Sequence, residues 1–331
     1  MARRIDRERL SALDIVSYGR RGPSRPGRFS PQQIAQISRT IRGAPEVVVK
    51  VSGGGHTLGA VAAHFEYISR HGELEIETDG EDRVQGEDAA ADLVEDWDLE
   101  IDAALDRWDH MAHGGRTAHP KLVHNIVLSM PAGTPPSKLL SASRGFAREE
   151  FALQHRYAMV LHTDEDHPHV HLVVSAHNHE GKRLNVRKAD LRRWRERFAE
   201  QLRKQGLEAN ATPAQLRGRL SDHQKDGLFR AALRGESRVE WERTQRVAEA
   251  ASSHTIGTPG LGHIFATAEA VRHDWLQTRE TLEHQGLTRL AAEVEGFRRG
   301  LRVPKTREER AFTLIRRARE QHMARQMEFV R

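Results

Sequence analysis

The order of the predicted secondary-structure elements indicates an α+β fold, in which a central antiparallel β-sheet is flanked by helices. Apolar, β-branched runs at 47–51, at 122–130 and twice within 156–177 have the composition of strands. Amphipathic stretches separate these runs, and this alternation favours helices packed on one sheet. From about residue 220 the pattern is helical and shows no repeat, which predicts a helical C-terminal region.

The composition divides the chain into three predicted segments. Residues 1–44 are basic and rich in Gly, Pro and Ser, which predicts a mostly flexible N-terminal arm with a short helix at Pro31–Ile41. Residues 45–219 form the predicted α+β domain. Residues 220–331 form the helical C-terminal region, in which no motif indicates a role.

Within the α+β domain, helices are predicted between the strands. Gly53–Gly55 indicates a strand-to-helix turn, and a helix is predicted from Thr57 to His71 with Gly72 as its stop. The acidic stretch that follows is expected to be a loop and then a helix at about 89–110. Further helices are predicted at 137–155, 188–206, about 238–252, 264–285 and 305–328.

Composition excludes several classes of protein. The 331 residues include no Cys, so disulfide frameworks, zinc fingers and thiol chemistry are excluded. No apolar run approaches the ~20 residues that span a bilayer, and the first residues lack the apolar core of a signal peptide. We therefore expect a soluble, cytoplasmic protein without membrane insertion.

The net charge of +5 conceals an uneven distribution of charge. The stretch Glu73–Asp109 has 16 acidic and 2 basic residues and a net charge of −14, so the remainder carries +19. A remainder this basic favours a polyanionic partner, and nucleic acid is the first candidate. The alternative is a set of solvated, Arg-rich helices.

Three histidines near the middle of the chain predict a metal site. His169 and His171 lie two residues apart at the start of a strand, so their side chains share one face. His162 ends the preceding apolar run, and a hairpin of the two runs brings it beside the other two. Three neutral imidazoles on one patch can hold a divalent metal. The alternative is chance, since the chain has 20 His.

Tyr67 is the predicted nucleophile. On its helix it shares a polar face with His64, Arg70 and His71, because residues three and four apart are neighbours. A phenol, with a pKa of about 10, attacks poorly at neutral pH, and attack on a phosphate also requires its negative oxygens to be neutralised. A metal held by uncharged imidazoles keeps its full charge for this purpose. A metal site together with Tyr67 predicts transesterification of a DNA phosphodiester. The alternative is that Tyr67 has only a structural role.

Three motifs, in this order along the chain, resemble those of the conjugative relaxases. These form the mobilisation class of the HUH endonuclease superfamily that includes the T-DNA border nickases. Residues 162–171 match the pattern His-x-Asp-x-x-x-Pro-His-x-His at every fixed position, and Phe65–Glu75 matches the tyrosine motif. Ser129–Thr134 matches a Ser-x-Pro-x-Gly-Thr element. The resemblance covers about residues 46–215 and implies the HUH fold, with the metal on one face of its antiparallel sheet.

The resemblance also implies an activity and a role for each matching residue. Tyr67 would form a 5′-phosphotyrosyl bond at the nick and free a 3′-hydroxyl. His162, His169 and His171 would bind the metal. Asp164 would orient one of these histidines or assist removal of the proton from Tyr67; a role in the turn is its alternative. The expected reaction is a site- and strand-specific nick at a transfer origin, which begins conjugative transfer of a plasmid or integrative element.

Basic residues are expected to hold the DNA backbone, which would make affinity sensitive to salt. The expected DNA-binding residues are Arg70, Ser129, Arg183, Arg187, Lys188, Arg192 and Arg193. A structural role at the end of a strand is an equal alternative for Ser129. Trp194 is expected in the core rather than stacked on a base, and His167 is not expected to be a ligand.

The expected cofactor is Mg²⁺ or Mn²⁺, which the family implies, with Zn²⁺ as an alternative. Three imidazoles suit manganese or softer ions better than magnesium. The expected partners are single-stranded DNA at a transfer origin, accessory nicking proteins and a type IV secretion coupling protein, with export alongside the transferred strand as a further expectation.

Two other functions are alternatives to the relaxase. One is a rolling-circle replication initiator, which usually places its tyrosine after the histidines, whereas Tyr67 precedes them. The other is a three-histidine zinc hydrolase that acts through metal-bound water.

Overall fold

The computed structural model describes residues 28–97, 120–219, 231–253, 261–302 and 305–329. These residues form two compact units. The sheet unit comprises the described part of Arg42–Ala211, and the helical unit comprises the described residues up to Ile41 together with those from Thr212 onward. Among the described residues, no helix is both long enough and apolar enough to cross a membrane.

The sheet unit is built on six strands. These are β1 (Val48–Gly53), β2 (Ile76–Thr78), β3 (Arg83–Val84), β4 (Val123–Ser129), β5 (Tyr157–His162) and β6 (His169–Ser175). They pair in the order β1-β4-β6-β5-β2-β3, and every pair is antiparallel. The predicted antiparallel sheet is therefore confirmed.

Helices account for most of the remaining structure. In the sheet unit they are α2 (Leu58–Ile68), α3 (89–97), α4 (Pro136–Glu150) and α5 (Lys188–Lys204). In the helical unit they are α1 (Pro31–Ile41), a short 3₁₀ turn (Ala214–Arg217), α6 (Arg238–Ser253), α7 (Leu261–His284), α8 (Thr288–Gly300) and α9 (Arg307–Phe329). Helices therefore flank the sheet, and the C-terminal region is helical, as predicted.

Alternation along β6 gives the sheet two buried faces. Val170, Leu172 and Val174 face a core that α4 and α5 close with side chains such as Trp194 and Phe198. Because alternate strand residues point to opposite faces, Val173 instead lies in the second core. That core is closed by α2 and α3, where Phe65 meets Trp97 edge-on at 5.5 Å between ring centroids.

This alternation also places the histidines of the hairpin. His169 and His171 have the same parity as Val173, so they lie on the face covered by α2. His162 pairs directly with His169, at the end of the β5–β6 hairpin next to its turn. The histidines therefore lie on the same side of the sheet as the helix that carries Tyr67.

The acidic stretch was predicted as a loop followed by a helix, and this is wrong in its first part. Two strands, β2 and β3, lie there at the edge of the sheet. Their three and two residues are too short to give an apolar pattern. Glu77 of β2 accepts two hydrogen bonds from Arg144 of α4, at 2.5 and 2.6 Å, so part of the negative charge is neutralised within the unit.

The helix of Tyr67 ends earlier than the predicted His71. Its last helical residue is Ile68, and Arg70, His71 and Gly72 follow with φ of 55°, 56° and 85°. This left-handed conformation stops the helix, and it is unfavourable for residues that carry a Cβ. The consequence for the site is that the backbone turns sharply just after Tyr67.

Two further helix predictions differ from the structure. The helix after β4 ends at Glu150 rather than at residue 155. A separate helix, α8, occupies a stretch where none was predicted. Helix 89–110 was predicted from the acidic stretch, and only its residues up to 97 lie within the described part of the chain.

The helical unit has its own core. Ile37 of α1 is fully buried in one cluster with Trp275 and Leu282 of α7. The side chain of Gln285 pairs with the backbone of Phe29, at 2.9 Å from its N–H and 3.0 Å to its carbonyl. The part of the predicted arm from residue 28 onward is therefore packed, and residues 1–27 lie outside the described residues.

Candidate active site

The three histidines of the hairpin form one cluster. Their ring centroids are 4.6 Å apart for His162 and His171, 5.0 Å for His162 and His169, and 5.1 Å for His169 and His171. One nitrogen from each ring lies within 4.8 Å of the others, and this is the one such group in the described part of the chain. The structure thus brings together the three residues that the sequence predicted as metal ligands.

The outer nitrogens of two of these rings contact main-chain carbonyls. His162 Nε2 lies 2.6 Å from the carbonyl oxygen of Ile68, and His169 Nδ1 lies 3.1 Å from that of His167. Histidines that bind metals usually donate their second ring nitrogen to a carbonyl or carboxylate, which fixes the tautomer and the ring. Nδ1 of His162 and Nε2 of His169 are then left to hold an ion, so the cluster fits a divalent metal.

The electrostatics of the cluster favour uncharged imidazoles. Burial, followed by the neighbouring His162 and His169, lowers the pKa of His171 to about 3. Burial also lowers the pKa of His162, against the opposing effect of its hydrogen bond to Ile68. Because only the neutral ring offers a lone pair to a metal, these two rings are in the binding form at neutral pH.

Tyr67 lies at the exposed end of α2, beside the cluster. Thr57 caps the start of this helix by accepting a hydrogen bond from the N–H of Ala60 at 3.2 Å, and Phe65 and Ile68 anchor its buried side. Tyr67 itself is 60% exposed. The helix is therefore held rigidly while the phenol stays accessible to a large substrate.

His64 connects Tyr67 to the histidine cluster. Its ring is stacked against that of Tyr67, at 6.4 Å between centroids and 24° between planes. Its ring also lies nearly perpendicular to that of His171, with the ring centroids 6.3 Å apart. The sequence placed His64 on the polar face of Tyr67 but gave it no role, because only the packing of α2 on the sheet shows that it reaches His171.

A second connection joins the turn after Tyr67 to the hairpin. Arg70 forms a salt bridge with Asp164, and its guanidinium carbon lies 6.0 Å from the centre of the Tyr67 ring. The pKa of Asp164 is held below its ordinary value, first by a hydrogen bond from the backbone N–H of Asp164 itself and then by the charge of Arg70. Asp164 Oδ1 lies 3.9 Å from His162 Nδ1, beyond hydrogen-bonding distance. The carboxylate thus lies beside a histidine of the cluster without a direct bond to it.

Ser129 also lies at the histidine hairpin. It ends β4 directly opposite His169, and its hydroxyl donates a hydrogen bond to the carbonyl of Pro168 at 3.3 Å. This contact ties β4 to the start of β6.

Arg192 and Arg193 lie on α5, which closes the core on the side of the sheet opposite the cluster. Arg193 is paired with Glu150 at 2.7 Å and with Asp190 at 2.9 Å. Trp194 is fully buried and donates to Glu150 at 2.8 Å, which confirms its predicted place in the core. Arg192 is half-buried on the same helix.

Other predicted DNA-binding residues are more accessible. Arg187 and Lys188 are exposed where α5 begins. Arg183 is exposed and lines an open cleft of about 600 Å³ with Lys121 and His124. Arg183, Arg187 and Lys188 are therefore better placed than Arg192 and Arg193 for contacts with a phosphate backbone.

Comparisons with known proteins agree with this architecture. Residues 67–207 match the nuclease domain of MobA/VirD2-like relaxases. Over 139 residues the chain is 30% identical to the T-DNA border endonuclease VirD2 of Rhizobium radiobacter. The aligned segment covers 39% of this chain and 32% of that protein. The VirD2 proteins of Rhizobium rhizogenes and Agrobacterium fabrum are also 30% identical, over 31% and 30% of their lengths. The chain thus spans about a third of the length of these relatives.

The described domain is therefore a relaxase of the HUH type. The similarity to the nuclease domain of MobA/VirD2-like relaxases rests on residues 67–207.

Proposed function

We propose that this protein nicks one strand of DNA at a transfer origin by transesterification, with Tyr67 as the nucleophile. The observation that carries the proposal is the position of Tyr67. An exposed phenol stands at the end of a rigid helix, and His64 and Arg70 connect it to the three-histidine cluster and to Asp164.

The reaction exchanges one phosphodiester for another. The phenolic oxygen of Tyr67 forms a bond to the scissile phosphorus, and the bond from phosphorus to the 3′-oxygen breaks. The products are a 5′-phosphotyrosyl strand and a strand with a free 3′-hydroxyl, so the energy of the phosphodiester is kept for rejoining. Asp164, held by Arg70, is the carboxylate that would assist removal of the proton that the phenol loses.

His162, His169 and His171 are the residues that would hold a divalent cation, Mg²⁺ or Mn²⁺ in this proposal. When bound, such a cation supplies Lewis-acid stabilisation of a phosphate oxygen. The neutral state of His171 and His162 serves this purpose, because the ligands add no negative charge that would weaken the field of the ion.

The substrate in this proposal is single-stranded DNA, which the similarity to the relaxase nuclease domain supports. Arg183, Arg187 and Lys188 are the accessible cations that would hold its backbone. Accessory nicking proteins, a type IV coupling protein, and export with the strand belong to the same proposal, and they rest on the resemblance to conjugative relaxases.

The test is formation of a covalent adduct. The full chain is incubated with labelled single-stranded oligonucleotides that carry candidate origin sequences, in Mn²⁺ or Mg²⁺, and the products are separated on a denaturing gel. We expect a DNA–protein adduct with the wild type and none with Tyr67→Phe. Tyr157→Phe is the matched control, because Tyr157 is a buried tyrosine of β5.

Three outcomes would contradict the proposal. Absence of an adduct across all origin candidates is one, and an undiminished adduct with Tyr67→Phe is another. Cleavage by Tyr67→Phe at the wild-type rate would instead indicate a hydrolase that uses water. His169→Ala should abolish the adduct while DNA binding persists, as expected for a residue of the chemical step.

A further inference from the structure

We infer that His64 is a catalytic residue of this site and donates a hydrogen bond to a non-bridging oxygen of the scissile phosphate. The inference rests on the proposed function and adds a residue to it. It also assigns a task to a histidine that lies outside the His-x-Asp-x-x-x-Pro-His-x-His motif.

The first argument is the position of His64. It lies one helical turn before Tyr67, so the two side chains are neighbours on α2. One side of its ring stacks on Tyr67, and its ring lies nearly perpendicular to that of His171. A phosphate that is attacked by Tyr67 and neutralised at the histidine cluster lies between Tyr67 and the cluster. The ring of His64 is next to both of them.

His64 also has a ring nitrogen without a hydrogen-bond partner in the described part of the chain. This nitrogen, Nε2, is shielded from solvent. A buried polar group without a partner is costly, and native proteins retain few of them. Such a group is explained where a ligand supplies the missing partner. A phosphate oxygen, which only accepts, fits an imidazole N–H.

The third argument separates His64 from the metal ligands. The three-histidine group has ligand nitrogens within 4.8 Å of one another, and His64 is outside this group. A hydrogen bond to substrate therefore fits better than a fourth metal–nitrogen bond.

The experiment uses stereochemically pure phosphorothioates. The full chain is mixed in excess with origin oligonucleotides that carry sulfur at either non-bridging position of the scissile phosphate. Adduct formation is followed in a single turnover. Mn²⁺ is used throughout because this thiophilic ion tolerates sulfur, so the remaining preference between the two diastereomers reports on contacts made by the protein. The variants are His64→Ala and His64→Asn, with His56→Ala as a control at an exposed histidine before α2.

We expect His64→Ala to slow adduct formation on the oxygen substrate by about 10- to 100-fold, as for loss of one donor to a transition-state oxygen. The Kd for DNA and for Mn²⁺ should stay within about twofold of wild type. The diastereomer that wild type uses poorly should lose its disadvantage in His64→Ala. His64→Asn, which keeps an N–H donor, should recover part of the rate, and His56→Ala should match wild type.

Several results would overturn the inference. An unchanged rate in His64→Ala is one. A slower rate with the same preference between diastereomers would show a structural role, and weaker binding of Mn²⁺ would show a metal ligand. Failure of wild type to form any adduct would remove the proposed function itself, whereas an active wild type with an unaffected His64→Ala removes only this inference.

Discussion

His124 should make the stability of the sheet unit depend on pH. The side chain lies on β4, is 8% exposed, and its Nε2 lies 3.1 Å from the carbonyl oxygen of Leu184. Burial, aided by the charges of Lys121 and Arg183 and opposed by that hydrogen bond, lowers its pKa from 6.5 to about 4. The folded protein therefore keeps His124 neutral at a pH where the unfolded chain protonates it.

The sign and size follow from linkage. Because the folded pKa is the lower one, the contribution of His124 is complete above pH 6.5 and is lost as the pH falls toward 4. The shift corresponds to about 3 kcal/mol over the whole window, and about 2 kcal/mol of this is lost between pH 7.5 and pH 5.

The assay compares wild type with His124→Gln, which can still donate to Leu184 but does not titrate. Unfolding by urea in the presence of EDTA is monitored through the hydrogen exchange of peptides from β4 and β6. The measurement therefore reports on the sheet unit alone. Wild type should lose about 2 kcal/mol more than His124→Gln between pH 7.5 and pH 5. His167→Gln, at an exposed histidine, should behave like wild type. Parallel pH dependences for wild type and His124→Gln would refute the reasoning.

Four further predictions concern single substitutions. Thr57→Ala should destabilise α2 by about 1 kcal/mol through loss of its N-cap, with Thr57→Ser close to wild type in the same exchange measurement. Gly54→Ala should lower the free energy of unfolding by about 1–3 kcal/mol, because its Cβ would lie 2.2 Å from a backbone oxygen; Gly59→Ala meets no atom within 4 Å and should be harmless in the same urea titration. Arg193→Ala should cost about 1 kcal/mol in stability but leave the affinity for single-stranded DNA unchanged, since its ion pairs are internal. Arg183→Ala should weaken that affinity and reduce its salt slope by about one in fluorescence anisotropy; equal effects of the two Arg variants would contradict the assignment.

The sequence predicted best where a local pattern carries the structure. The β5–β6 hairpin was located because each of its strands is mostly apolar, and the two-residue spacing of His169 and His171 predicted that they share a face. Thr57 and the glycines before it correctly marked the start of α2. These signals depend only on neighbours along the chain.

The missed features depend on contacts between distant segments. β2 owes its place to pairing with β5, and Glu77 to its bonds with Arg144, neither of which a three-residue acidic run reveals. The left-handed turn at Arg70 and His71 was also missed, because neither residue is Gly, and Arg70 pairs there with Asp164 of the hairpin. The role inferred for His64 depends on the packing of α2 on the sheet, which places its ring beside that of His171.

The contacts around α2 join the end of the Tyr67 helix to the histidine hairpin. Ile68 accepts from His162, and Arg70 pairs with Asp164, and each contact joins residues 94 positions apart. Ile68 follows Tyr67 directly, so the carbonyl that fixes the ring of His162 belongs to the same helical turn as the phenol. A shift of this helix end would therefore disturb a proposed metal ligand and the proposed nucleophile together. The three histidines alone would indicate only a metal site, whereas these contacts join the cluster to the helix end that carries Tyr67.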